Sequence, residues 1–357
     1  MKNPFRTLLK ASRLARKAPV SVAIALQRAL LSAVAKPKRG KPGPAPAKRR
    51  AVPKSRSAVR PEPGSFVDGQ FSNAHGRLAY KLYTPRGSSR RKLPLVVMLH
   101  GCTQTAADFA LGTGMNTIAD ELGFLVLYPQ QSVAANLGRC WNWHRPGDQK
   151  RDAGEPALIA GLTRQILATC KANPARVYIA GISAGGAAAA IIASAYPDLY
   201  VAAGVHSGVA QGDITTLRGA VSAMRTGIAA DASCPAERPP PTIVFHGDQD
   251  NVVHPANAAG FLSQLRRSGA NAVTGKPTTG RSIGGRGFTR TATTDSAGRV
   301  LLEDWVVHGS GHAWSGGNAA GSHTDPAGPD ASREMLRFFL ARRRAVAAAA
   351  TRAAGKR

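Results

Sequence analysis

At 357 residues with 43% apolar side chains, the chain is long enough for one large domain with tails, or two modest ones, around a sizeable core. Its net charge of +28 is uneven: residues 1–61 hold 17 Lys and Arg, residues 341–357 hold 6, neither stretch holds an acid, and the body between carries only +5. That distribution argues against a fold that reads nucleic acid, and no uninterrupted apolar run reaches the roughly 18 residues of a membrane span.

Residues 1–17 are basic, and residues 18–35 form a mostly apolar run interrupted by Gln27 and Arg28. The run ends in Ala33-Val34-Ala35, a small-x-small pattern like that before a signal-peptidase cut; an amphipathic basic helix suited to an anionic or apolar surface is the competing reading. Residues 36–60 are Pro, Ala, Lys and Arg without periodicity, a composition that buries too little to offset its ordering entropy and so predicts a disordered linker. From Gly64 the texture changes. Strands are expected at 78–83, 95–99, 124–128 (stopped by Pro129), 176–180, 201–205 and 242–246. Helices are expected at 115–122, 155–171, 185–196, 256–268 and 331–340. Two β-like runs, 287–294 and 300–307, flank a turn at 295–298. Short apolar strands alternating with helices predict an α/β fold, a mostly parallel sheet with helices on both faces. The four cysteines, Cys102, Cys140, Cys170 and Cys234, show no Cys-x-x-Cys and no metal spacing, and leave buried thiols and disulfides equally open.

Gly181-Ile182-Ser183-Ala184-Gly185 is a G-x-S-x-G between an apolar strand and a helical run. A serine on a sharp strand-to-helix turn needs strained backbone angles, and its neighbours must be small for the chain to close around it. The same pattern recurs at Gly280-Arg281-Ser282-Ile283-Gly284, in a stretch of Gly, Arg and Thr with neither neighbour. Context selects Ser183 as the candidate nucleophile and leaves Ser282 to a surface loop.

A serine needs a base, and the base an orienting acid; in such folds the order is Ser, Asp or Glu, His. The expected strand at 242–246 runs into His246-Gly247-Asp248-Gln249-Asp250, so Asp248 and Asp250 compete for the acid, with Asp250 favoured by the spacing H-G-x-x-D-x-x-V. Of nine histidines, His312 follows the last strand in the Gly-rich loop 309–317, where a triad base belongs. His75, His100, His206, His246, His254, His308 and His323 sit too early, end strands, or lie in other loops. Two backbone N–H groups would form the oxyanion hole, that of Ala184 and, from the loop after the strand at 95–99, that of Cys102.

At these residues the sequence resembles the polyhydroxybutyrate-depolymerase-type esterases, an α/β-hydrolase family with relatives acting on feruloyl and acetyl esters of plant polysaccharides. The matching stretches are Leu99-His-Gly-Cys-Thr-Gln-Thr105, Arg139-Cys-Trp-Asn-Trp143, Gly181-Ile-Ser-Ala-Gly-Gly186, His206-Ser-Gly208, His246-Gly-Asp-Gln-Asp250 and Gly311-His-Ala-Trp-Ser-Gly-Gly317. The resemblance implies Ser183, Asp250 and His312 as the triad, Cys102 and Ala184 as the hole, and pairing of Cys102 with Cys140. It also implies a secreted enzyme, the alternative being a cytoplasmic, granule-associated one. Trp141, Trp143 and Trp314 fall in motif loops and are divided between core packing and contact with the ester.

The expected organisation is a basic arm over 1–61, an α/β-hydrolase domain over 62–343 and a basic tail over 344–357. The expected activity is hydrolysis of a carboxylic ester, polymeric or not, without metal or organic cofactor. The rival from another class is a protein anchored by its basic arm to a granule, a membrane or nucleic acid, with no specific nucleic-acid site expected.

Overall fold

The structure is a computed structural model that describes residues 64–86, 92–212, 214–227 and 239–344. The expectations for the 1–61 arm, for Cys234 and for nearly all of the 344–357 tail lie outside the described residues. In chain order the strands are β1 (Ser65–Asn73), β2 (Gly76–Thr84), β3 (Leu95–Leu99), β4 (Leu125–Gln130), β5 (Val177–Ile182), β6 (Ala202–His206), β7 (Thr242–Gly247), β8 (Val273–Thr274), β9 (Thr278–Arg281), β10 (Gly287–Thr294) and β11 (Val300–Val307). A short pair, β12 (Trp314–Ser315) and β13 (Thr324–Asp325), follows. The helices are α1 (Ala106–Thr113), α2 (Met115–Leu122), α3 (Gly154–Thr169), α4 (Ala184–Ala195), α5 (Leu217–Thr226), α6 (Ala256–Arg267) and α7 (Ala331–Leu340).

Eleven strands make one sheet in the order β1-β2-β4-β3-β5-β6-β7-β11-β10-β8, with β9 also on β10. From β4 to β11 every neighbouring pair is parallel, while the strands outside that stretch pair antiparallel. The central parallel strands β3, β4 and β5 are mostly apolar and buried because helices cover both faces, while β11 carries Glu303 and Asp304. β3 shows the alternation: Leu95, Val97 and Leu99 pack with α3 and α4 residues such as Leu162 and Ile191, whereas Val96 and Met98 pack with Phe109, Ile118 and Phe339. Each such fully buried side chain contributes about 1.5–3 kcal/mol relative to exposure.

The structure departs from the sequence expectations at particular places. β4 does not stop at Pro129 but runs to Gln130. Its parallel ladder to β3 ends at Leu127, and Pro129 stands opposite Tyr80 of β2 instead, so the missing N–H takes nothing from β3. β1 was not foreseen, for it is an edge strand with a mostly exposed pattern. Nor were α1 and α5. α1 opens on Thr105, whose hydroxyl accepts from Asp108 N–H, but it has no polar face to give it a helical period. α5 buries only Ala220 and Ala223.

Candidate active site

Ser183 stands between β5 and α4 with φ +57° and ψ −125°, a region that costs a side-chain-bearing residue on the order of 1–3 kcal/mol. The surrounding glycines permit the turn. A Cβ on Gly185 would fall 2.2 Å from Leu99 O, and one on Gly181 2.4 Å from Gly185 O. The Ser183 N–H donates to His206 O at 2.9 Å, and the residue keeps partial exposure. Ser282, in the second G-x-S-x-G, lies just past β9; its hydroxyl donates to Ala327 O at 2.5 Å and accepts from Arg286 N–H at 3.0 Å. It has neither the strand nor the helix that makes an elbow.

Asp250 follows β7 and His312 follows β11, two adjacent parallel strands in register from Leu302 opposite Thr242 to Val307 opposite Gly247. His312 Nδ1–H donates to Asp250 Oδ2 at 2.8 Å, which leaves Nε2 as the basic nitrogen. Asp250 Oδ1 accepts from the N–H groups of Val252 and Val253, at 2.9 and 2.8 Å. His246 Nε2 lies 2.8 Å from Val253 O and 3.5 Å from Asp250 Oδ2, so a second imidazole backs the carboxylate. Burial alone would raise the Asp250 carboxyl. Hydrogen bonds from His246 and His312, the charge of His312 and the Val253 N–H overcome that and hold it well below the usual carboxylate range.

The competing acid is otherwise occupied. Asp248 accepts from His308 Nδ1–H at 3.0 Å and from Gly309 N–H at 2.7 Å, tying the loop after β7 to the loop after β11. His206 joins two parts of the site: its carbonyl takes the Ser183 N–H and its Nε2 accepts from Ser315 N–H at 3.0 Å. Burial is the main reason its ring is pushed down to about 3, with the nearby His246 and His312 adding to it. His100 is buried and pushed down to about 4, chiefly by burial. Its neutral ring donates from Nδ1 to Gly101 O at 2.8 Å and accepts at Nε2 from Gln131 N–H at 3.1 Å.

Residues 100–104 form a tight loop after β3. Gly101 N–H donates to Gln104 Oε1 at 2.9 Å, and Gln104 Nε2 reaches Ser322 O at 3.1 Å. Cys102 is partly exposed and disulfide-bonded to Cys140, with the two Cα atoms 4.2 Å apart. Ala184 is the first residue of α4, where an N–H has no carbonyl of a preceding turn to bond.

All three motif tryptophans are buried. Trp141 and Trp314 are each only 1% exposed. Trp141 Nε1–H donates to His100 O at 3.0 Å, and Trp314 Nε1–H to Ser332 Oγ at 3.0 Å, with its ring between Phe109 and His206. Both are buried with satisfied N–H groups, the arrangement expected of the packing alternative. Trp143 is buried as well, its ring edge-on to His144. Gln104 and Glu155, which holds the segment bearing Trp141, were not among the sequence candidates, and His246 was set aside as the end of a strand. The partners of Glu155 are fixed by tertiary contact, whereas those of His246, and Gly101 and Asp108 for Gln104, lie within a few residues in sequence.

Residues 78–284 match the family described as esterase PHB depolymerase, more than half of the chain. The chain belongs to that family. The matched span includes Ser183 and Asp250 and ends before His312. Among curated relatives, poly(3-hydroxyalkanoate) depolymerase C of Paucimonas lemoignei is 30% identical over 253 residues, 68% of this chain and 60% of that one. Feruloyl esterase B of Neurospora crassa is 31% identical over 195 residues, 48% of this chain and 64% of the other. Poly(3-hydroxybutyrate) depolymerase of Ralstonia pickettii is 30% identical over 251 residues, 66% of this chain and 50% of the other. The chain thus spans between half and just under two thirds of the length of these relatives. In fold it is similar to the acetyl xylan esterase from Aspergillus awamori, at a TM-score of 0.56 and 21% identity over 70% of this chain and 94% of that one. This PHB-depolymerase-family chain therefore has the α/β-hydrolase fold, and among its described residues no helix is long and apolar enough to cross a membrane.

Proposed function

We propose that the chain is a serine esterase that hydrolyses carboxylic esters through an acyl-enzyme, with polyhydroxyalkanoate or its oligomers as the substrate class. The observation that carries this reading is the 2.8 Å bond from His312 Nδ1–H to Asp250 Oδ2, in a chain whose Ser183 sits at a strained elbow. Ser183 Oγ attacks the ester carbonyl while His312 Nε2 takes its proton, and Asp250 holds the imidazole's tautomer and steadies its positive charge. The N–H groups of Cys102 and Ala184 receive the oxyanion. His312 then protonates the leaving alcohol and activates the water that releases the acid. The polyester substrate is favoured by the two depolymerase relatives, each 30% identical. Feruloyl or acetyl esters of polysaccharides are the second reading, favoured by the 31% identity to feruloyl esterase B.

Labelling with a fluorophosphonate, followed by peptide mapping, tests the mechanism. The adduct is expected on Ser183, and an adduct on Ser282, or none on a folded protein, overturns the assignment. Rates on hydroxybutyrate oligomers, feruloyl esters and acetylated sugars, measured side by side, then decide the substrate class.

The arm of residues 1–61, with 17 positive charges and no acid, is proposed to serve a surface rather than the chemistry, either as part of a secretion leader or as an anionic-surface anchor in a granule-associated enzyme. The catalytic domain is taken to begin near residue 62. Deleting the arm should leave kcat on a small soluble ester unchanged. Each Lys or Arg near an anionic surface contributes about 1 kcal/mol, fading within a Debye length of roughly 8 Å at physiological salt. The shortened protein should co-sediment more weakly with anionic vesicles, with a shallower salt dependence. Equal, salt-insensitive binding would remove the anchoring role, and a large loss of small-ester turnover would move the domain boundary.

A further inference from the structure

One carboxyl group close to the site has no part in the triad chemistry. Glu155 stands in the first turn of α3, where an acid is ordinarily explained by the positive end of the helix dipole. Its carboxylate is instead occupied by a segment distant in sequence. Oε1 accepts from Gln131 Nε2 at 2.5 Å and from Asn142 Nδ2 at 2.7 Å, and Oε2 accepts from Asn142 N–H at 2.8 Å. All three partners are donors, and they bracket residues 131–142.

That segment in turn carries residues 100–103. Gln131 N–H donates to His100 Nε2 at 3.1 Å, and Trp141 Nε1–H donates to His100 O at 3.0 Å. Thr103 N–H donates to Gly138 O at 2.6 Å, and Cys140 is bonded to Cys102 itself. Inside the segment, Asn136 Oδ1 accepts from Gly138 N–H at 2.9 Å and Asn136 Nδ2 donates to Asn142 Oδ1 at 3.1 Å. The Cys102 N–H therefore belongs to a loop whose far side is held, through four links, by a segment that Glu155 grips at both ends.

We propose that Glu155 is a positioning residue for the oxyanion loop, clasping residues 131–142 through its ionised carboxylate and releasing them when it takes a proton. The proposal rests on the ester-hydrolase reading of Ser183. A protonated carboxyl carries an O–H among partners that can only donate, and its now neutral oxygens accept more weakly, so the clasp loosens. The group is poised to titrate. Burial, with Asp148 adding to it, pushes Glu155 up to about 7 against the three hydrogen bonds that favour the charge. Asp148 sits in the 3-10 turn Pro146–Gln149 and accepts the Glu155 N–H at 2.7 Å. His144 and Arg145 bear on Asp148 in turn, Arg139 lies in the clasped segment, and the adjoining His100 stays neutral with its ring pushed down to about 4.

The test uses the full chain and a small soluble ester. Glu155 then adds its ionisation to that of the general base, so log kcat/KM in the wild type should fall on the acid side with a slope approaching about two. Glu155→Gln keeps the shape, turns an amide toward donors and cannot titrate. Its kcat plateau should drop by roughly 10²-fold, as for an oxyanion donor out of place, with KM little changed and the acid slope reduced to about one. Asp148→Asn should keep the plateau and move the second ionisation to lower pH, because the neighbouring negative charge is gone. Hydrogen exchange gives a readout independent of catalysis: peptides spanning 131–142 should exchange at least about tenfold faster in Glu155→Gln, with β5 unchanged. An unchanged plateau or a persisting slope of two would overturn the proposal, as would unaltered exchange over 131–142. Should Ser183→Ala prove active, the ester-hydrolase reading falls, and exchange alone still decides whether Glu155 holds the segment. If Glu155→Gln does not fold, the pH shift in Asp148→Asn decides it.

Discussion

Ser183→Ala is expected to lower kcat on a small soluble ester by on the order of 10⁶, while Ser282→Ala turns over like the wild type. The size follows from what is removed. Without Oγ there is no covalent intermediate, and the His312–Asp250 pair has no hydroxyl to activate, so only the residual catalysis of an intact oxyanion hole remains. The asymmetry between the serines follows from their surroundings. Ser183 occupies a backbone region that must be held under strain, at the entrance to α4, whereas the Ser282 hydroxyl is spent on Ala327 O. Steady-state kinetics on both variants, with circular dichroism to confirm folding, checks the prediction, and a reversed pattern would move the nucleophile to the second G-x-S-x-G.

Asp250→Asn should cost about 10⁴ in kcat with little change in KM. The amide preserves the shape but offers N–H where the carboxylate offered lone pairs. One oxygen of Asp250 is committed to Val252 and Val253 N–H, so the amide nitrogen must occupy the Oδ2 position facing His312 Nδ1 and His246 Nε2. His312 is then driven to the tautomer that protonates the nitrogen needed as base. Asp248→Asn should cost far less, about tenfold or under, because its bonds to His308 and Gly309 brace two loops and touch no reacting group. If the two variants exchange their effects, the acid is Asp248.

Where chemistry shapes the local sequence, the sequence was legible. The Ser183 elbow needs glycines because α4 approaches β3 within contact of Leu99 O, and that need is written as G-x-S-x-G after an apolar strand. Of the two acids, the one favoured by its spacing, Asp250, stands against His312, and Asp248 stands against His308. β10 and β11 are found at their expected bounds, since the turn between them carries Asp295 and Gly298 and both strands keep their patterns. The tryptophans were ambiguous for a physical reason. A loop folded across a sheet is itself core, and an indole in it can be buried once its N–H finds His100 O or Ser332 Oγ. α5 has apolar residues at helical spacing, Leu217, Ala220, Val221 and Met224, but it buries only two alanines and leaves Leu217 and Val221 exposed, so the stripe is short and weak. Glu155 was invisible as a functional residue, since what distinguishes it is a partner distant in sequence, and His246 stood inside the motif with nothing to tell a second imidazole behind the carboxylate from a packed strand end.

The position of β11 beside β7 has a temporal side. The bond between Asp250 and His312 closes over 62 residues, and that from Ser315 to His206 over 109. Contacts of such separation form late, because loop-closure entropy must be met before they give anything back. During synthesis the proposed nucleophile Ser183 emerges first, the proposed acid Asp250 next, and His312 only after four further strands have been made and the last has docked. A nascent or partly unfolded chain therefore carries a serine with no base. Reactivity toward a fluorophosphonate, followed after dilution from denaturant, would thus time the docking of the last parallel strand and not the collapse of the rest of the sheet.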